Sequence, residues 1–167
     1  HLDHSGYLPA LVKQGFKGAV HCTQATRDLA EVLLLDSAHL QEEDARRANK
    51  YGFSKHEKAL PLYTTADAKR AIAKIRPVAP LSAFKVGDVT VTLTPVGHLL
   101  GACAVTLQHK KETLVFSGDL GRAGDLLMPP PQKIARADVL LVESTYGNRW
   151  HPKDDAALLL GEIIRKT

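Results

Sequence analysis

Gly97-His98-Leu99-Leu100-Gly101-Ala102 decides how this chain is read. A single imidazole stands on a loop bounded by glycines, just after the alternating stretch Val89 to Leu93. Glycine's open backbone lets such a loop come close to an ion. A loop histidine by itself is usually only solvated, so its weight comes from two distant stretches. Upstream, His1-Leu2-Asp3-His4 offers three potential ligands within four residues, ahead of a predicted helix. Downstream, Ser117-Gly118-Asp119-Leu120-Gly121 sets a carboxylate at the end of the strand-like Leu114-Val115-Phe116. Imidazole and carboxylate are ordinary zinc ligands, and one aspartate can bridge two ions. Each piece has a plainer reading, a polar tail for the first and a turn-forming Asp for the last. Together they suit a two-metal hydrolytic centre.

Composition sets the frame around these loops. At 167 residues, 44% hydrophobic and 24% charged, the chain has ordinary globular make-up and length for one core. A net charge of +4 with a pI near 9.1 permits an anionic partner without demanding one. Cys22 and Cys103 lie in apolar, strand-like runs and read as buried free thiols of a reducing, cytoplasmic compartment. No stretch approaches the ~20 apolar residues that span a bilayer, so no membrane partner is expected. The chain opens without Met, inside what reads as a ligand motif, so an upstream segment is expected and a leader within it stays open.

Periodicity supplies the elements. Ser5 to Gln14 reads as a short helix with Leu8, Leu11 and Val12 on one face. Gly18 to Cys22 reads as a buried strand. Thr23 resembles an N-cap for a long helix whose Leu29, Val32, Leu33, Asp36 and Leu40 follow 3.6-residue spacing. A further helix is predicted from Thr65 to Ile75, capped by Thr64 or Thr65. Strands are predicted around Val89 to Leu93, over Ala104 to Gln108 and Thr113 to Ser117 as a hairpin, and over the apolar run Asp138 to Glu143. Pro129-Pro130-Pro131 excludes a helix in the last connection. Asp154 would cap a final amphipathic helix. Helices and strands alternate, which predicts a layered α/β or αββα arrangement.

These motifs resemble the metallo-β-lactamase-fold hydrolases. His1-Leu2-Asp3-His4-Ser5-Gly6 is similar to the end of their His-x-His-x-Asp-His motif, and Gly97-His98 and Gly118-Asp119 resemble the next two metal motifs, in order. Val142-Glu143-Ser144-Thr145-Tyr146-Gly147-Asn148-Arg149 with His151 resembles the lead into the β-CASP domain of RNA-processing nucleases. Leu35 to Ala45 resembles a segment of their bacterial members. The resemblance implies an αββα sandwich, incomplete at its N-terminal strands, with residues 1–143 as a partial metallo-β-lactamase domain. Residues 144–167 would then lead into a truncated β-CASP domain.

By that resemblance His1 and His98 hold a first Zn2+, Asp3 and His4 a second, and Asp119 bridges them. Asp3 would orient a di-zinc-activated hydroxide, and Glu143 would support a catalytic His of the following domain. His151 is a candidate substrate-binding residue. The implied activity is hydrolysis of RNA phosphodiesters, with single-stranded RNA as partner; a homodimer is compatible with the sequence. These 167 residues alone are expected to bind metal weakly and cleave nothing, because the resemblance puts further ligands outside them. Two other readings share the metal motifs: a glyoxalase- or lactonase-like hydrolase of a small ester or thioester, and a non-catalytic RNA-processing scaffold. His21 is read as a core or metal-supporting residue, His39 as a helix residue more often solvated than reaching the cleft, and His56 and His109 as solvent-facing. Lys13, Lys17, Arg46, Arg47 and Lys50 read as a solvated surface.

Overall fold

A computed structural model of the chain describes residues 1–150 and 155–167. The first predicted helix is two pieces, α1 (Leu2–Ser5) and α2 (Leu8–Lys13), separated at Gly6-Tyr7. Pro9 explains the break, because a residue without an N–H fits the first turn of a new helix and not the interior of an old one. Pro9 and Ala10 are the buried residues of α2, whereas Leu11, expected inside, is exposed.

Strand β1 (Val20–Cys22) leads into α3 (Gln24–Tyr51), capped by Thr23, whose hydroxyl accepts from the Thr26 N–H. Gly52, with φ of +68°, closes this helix in the left-handed conformation. Its inward stripe is Ala30, Leu34, Ala38 and Ala48. The expected face is thereby corrected: Val32 and Leu40 are more than half exposed. The run Leu33-Leu34-Leu35 is apolar all round, so several helical stripes compete, and the alanines select the one that allows close approach. Tyr63 is buried with Ala30, Leu34, Ala38, Ala68 and Ile75 in one cluster. The Tyr63 hydroxyl is 2.8 Å from the Ser37 hydroxyl.

Helix α4 (Thr65–Ile72) starts with a reciprocal cap: Thr64 Oγ1 accepts the Asp67 N–H, and the Asp67 carboxylate accepts the Thr64 N–H. It ends before the predicted Ile75, which instead opens β2 (Ile75–Pro77). That strand pairs in parallel with β1, Val20 against Ile75 and Cys22 against Pro77.

The second sheet has five strands in sequence order: β3 (Phe84–Val86), β4 (Val89–Pro95), β5 (Cys103–His109), β6 (Glu112–Phe116) and β7 (Val139–Leu141). Neighbours are antiparallel except β6 and β7. The predicted hairpin is present, with Lys110 at its tip in the left-handed region, φ +55°. Both faces of this sheet carry buried residues, Val91 and Leu93 on one and Ala104 and Val115 on the other. Strand β7 is shorter than predicted, and Val139, Leu140 and Leu141 remain about half exposed. Helix α5 (Ala156–Lys166) is capped by Asp155; Asp154 lies outside the described residues. Helices packed on sheets give the mixed α/β class expected of the αββα layering. No helix among the described residues is long and apolar enough to cross a membrane.

Candidate metal centre

Three separate pieces of backbone deliver the site. At α1, a single turn running from the N-cap His1 brings His1 and His4 to the same side, residues three apart on a helical turn being neighbours. Their rings meet edge to face with centroids 4.9 Å apart. His98 follows β4 on its glycine-bounded turn, and its ring centroid is 5.8 Å from that of His1. Asp119 follows β6. All three imidazoles converge on this one carboxylate.

The two oxygens of Asp119 divide the imidazoles between them. Oδ2 lies 2.8 Å from His1 Nε2 and 3.6 Å from His98 Nε2. Oδ1 lies 3.2 Å from His4 Nε2. Within this group His1, His98 and Asp119 present ligand atoms all within 4.8 Å of one another, the spacing a single ion requires. Asp3 stands to one side: its Oδ2 is 3.7 Å from His1 Nδ1, and its side chain is 85% exposed. The Asp119 side chain is 27% exposed, so the cluster is open to solvent yet partly walled. It sits at one end of a cavity of about 310 Å³ between α3 and the five-stranded sheet, whose far wall is apolar, with Leu29, Leu33, Leu93 and Val105.

The two loops that carry His98 and Asp119 are interlocked. Gly121 N–H donates to Val96 O at 2.8 Å. A Cβ on Gly121 would stand 2.0 Å from Gly97 O, and one on Gly97 would stand 2.0 Å from Pro129 O. Only glycine fits at either place. The proline run is tied in as well, through Gln132 N–H to Pro95 O at 3.0 Å.

Glu143 braces the same region. Its carboxylate accepts the Leu120 N–H, the peptide that follows Asp119 directly. Its own N–H donates to Ser117 Oγ at 3.0 Å, so the segment from Ser117 to Leu120 is held from both sides. Sequence reading placed Glu143 near the centre but gave no sign of this backbone contact. His151 lies outside the described residues. His21 is corrected: period-2 alternation in β1 turns it outward, where it is exposed with its ring 4.9 Å from that of Phe84. His39, His56 and His109 are exposed. Cys22 and Cys103 are free, half-buried and line the cavity, and burial pushes both thiols up from their ordinary pKa.

Comparison with known proteins identifies the family. A family model described as the Metallo-beta-lactamase superfamily matches residues 1–161. Ribonuclease TTHA0252 of Thermus thermophilus is 33% identical over 168 residues, covering 100% of this chain and 35% of that protein. Transcription termination factor FttA of Lokiarchaeum is 32% identical over 177 residues, covering 100% of this chain and 25% of its own length. Endoribonuclease ysh1 of Aspergillus fumigatus is 30% identical over 168 residues, with 95% of this chain and 18% of that protein covered. The chain thus spans about a third or less of the length of these relatives.

Proposed function

The chain belongs to the metallo-β-lactamase superfamily, and from that premise we propose that it is the metal-holding part of a zinc-dependent ribonuclease of the β-CASP type, acting on single-stranded RNA. The observation that carries the reading is Asp119, one carboxylate facing His1 and His98 through Oδ2 and His4 through Oδ1. A carboxylate with imidazoles at both of its oxygens would suit two cations. Imidazole-rich sites favour zinc over magnesium or calcium, which prefer all-oxygen shells. Relatives named as ribonuclease and endoribonuclease direct the choice of substrate toward RNA.

His1, His98 and Asp119 would hold one ion, and His4 with Asp119 and Asp3 a second. Bound zinc would supply hydroxide near neutral pH and positive charge against a phosphodiester. The protein's share is arrangement. His1 directs Nε2 at Asp119, and its Nδ1 lies 3.7 Å from the exposed Asp3 carboxylate, which leaves Asp3 free for the second ion. Glu143 keeps the Asp119 peptide in place and would align a proton-donating His if residues 144–167 lead into a β-CASP domain.

The test is made on the full-length protein. Metal content by mass spectrometry and cleavage of single-stranded RNA, a thioester and a lactone are compared for parent and Asp119→Ala. About two zinc ions per chain, RNA cleavage alone, and loss of both in the variant are expected. Thioester or lactone turnover without RNA cleavage would favour the small-ester hydrolase. RNA binding with neither zinc nor turnover would favour the scaffold.

A further inference from the structure

Resting on that reading of the site, we propose that Thr23 and Thr26, at the start of α3, are positioning residues for His98. Both hydroxyls reach across to one acceptor, the carbonyl of Gly101, from Thr23 Oγ1 at 2.9 Å and Thr26 Oγ1 at 3.2 Å. The two hydroxyls are also 2.9 Å from each other. A carbonyl has two lone pairs, so it can take both donors at once. Thr23 is 3% exposed, and a hydrogen bond there has little competition from water.

The contact joins residues more than seventy positions apart and ends inside the turn that carries His98. Gly101 has φ of +87°, and a Cβ on it would meet Thr23 Oγ1 at 2.6 Å and Thr26 N at 2.7 Å. The backbone therefore approaches the helix as closely as a chain can. Within the turn, Ala102 N–H donates to Leu99 O and Val96 N–H to Ala102 O, so a shift of Gly101 is carried to His98. The Gly97 end is already fixed by Gly121 and Pro129. The threonine pair fixes the other end, and between the two anchors His98 has one place to stand.

The roles of the two residues separate by chemistry. Thr23 Oγ1 also caps α3, so its removal would disturb the helix. Thr26 donates its hydroxyl to the Gly101 carbonyl, and its backbone N–H serves the cap whatever its side chain. Thr26→Val keeps shape and removes the donor, and Thr26→Ser restores it. The experiment compares parent, Thr26→Val and Thr26→Ser in the full-length protein. The first readout is amide hydrogen exchange over residues 96–102 without metal. The second is cobalt titration followed by the visible absorption of the bound ion. Thr26→Val is expected to exchange roughly fivefold faster over 98–102, the effect of losing about one hydrogen bond, and Thr26→Ser within twofold of parent. Cobalt affinity is expected to fall by about the same factor in Thr26→Val with an altered absorption band, and to recover in Thr26→Ser.

Unchanged exchange in Thr26→Val, or faster exchange with an unchanged cobalt affinity and spectrum, would overturn the proposal. If the parent binds no cobalt, the ribonuclease reading fails and the exchange data decide the latch on its own.

Discussion

Asp119 is the residue on which the site turns, because three imidazoles face one carboxylate and two of them share a single oxygen. Asp119→Asn keeps the shape and halves the ligand capacity. It should lower metal affinity in the full-length protein at least about a hundredfold, measured by competition with a chromogenic chelator. Glu143 allows a finer separation. Glu143→Gln retains an oxygen for the Leu120 N–H, whereas Glu143→Ala removes it. Metal affinity should fall about tenfold in the alanine variant and stay near parent in the glutamine variant. RNA cleavage should fall in both, since the charge that would support the proton donor is gone in each. At this scale much was legible beforehand. His1 and His4 announce themselves by the density of ligand types around them, His98 and Asp119 by the glycine beside each. The Leu120 and Gly101 backbone contacts do not, because any residue supplies an N–H or a carbonyl and only the folded chain says which one is met.

Among the elements, α4 offers a test with a defined sign. The backbone N–H of Thr64, then the Thr64 hydroxyl and the Arg70 guanidinium, hold the Asp67 carboxyl below the usual carboxylate range despite its burial. A carboxyl depressed on folding contributes stability that is complete above its unfolded value of about 3.9 and is lost as pH falls through the lower folded value. Asp67→Ala should therefore cost about 1–2 kcal/mol at pH 7, by chemical denaturation, and that difference should narrow below about pH 4. Gly97→Ala should cost about 2 kcal/mol or more, since it combines a left-handed backbone at φ +66° with a collision at Pro129 O. The sequence announced the Thr23 cap, a cap at Thr64 or Thr65 and the hairpin around Lys110, where side-chain chemistry is local. It misled on α3, where Leu29 and Val32 spell as good a stripe as Leu34, and the choice belongs to Tyr63 and the small residues that admit it. Strands β2 and β3 escaped notice because three residues each, with Pro77 or Lys85 among them, carry no period to read.

Over the whole molecule, apolar surface is unevenly spent. Leu140 on β7 and Leu158, Ile163 and Ile164 on α5 are each more than half exposed. Exposed apolar side chains clustered along one short helix drive association in water. The 167-residue chain by itself should bind a hydrophobic dye and self-associate at micromolar concentration. Replacing Ile163 and Ile164 with lysine should raise the monomer fraction measured by light scattering. The same chain alone should hold zinc less tightly than the full-length protein and leave single-stranded RNA intact, which equilibrium dialysis and a gel assay would check. The nesting of Gly121 against the Gly97 carbonyl, with Pro129 behind it, has a practical corollary for protein engineers. Neither turn can be grafted into a foreign scaffold by itself, because each is the mould in which the other is cast. A transplant must carry both, together with the proline strap, as a single cassette.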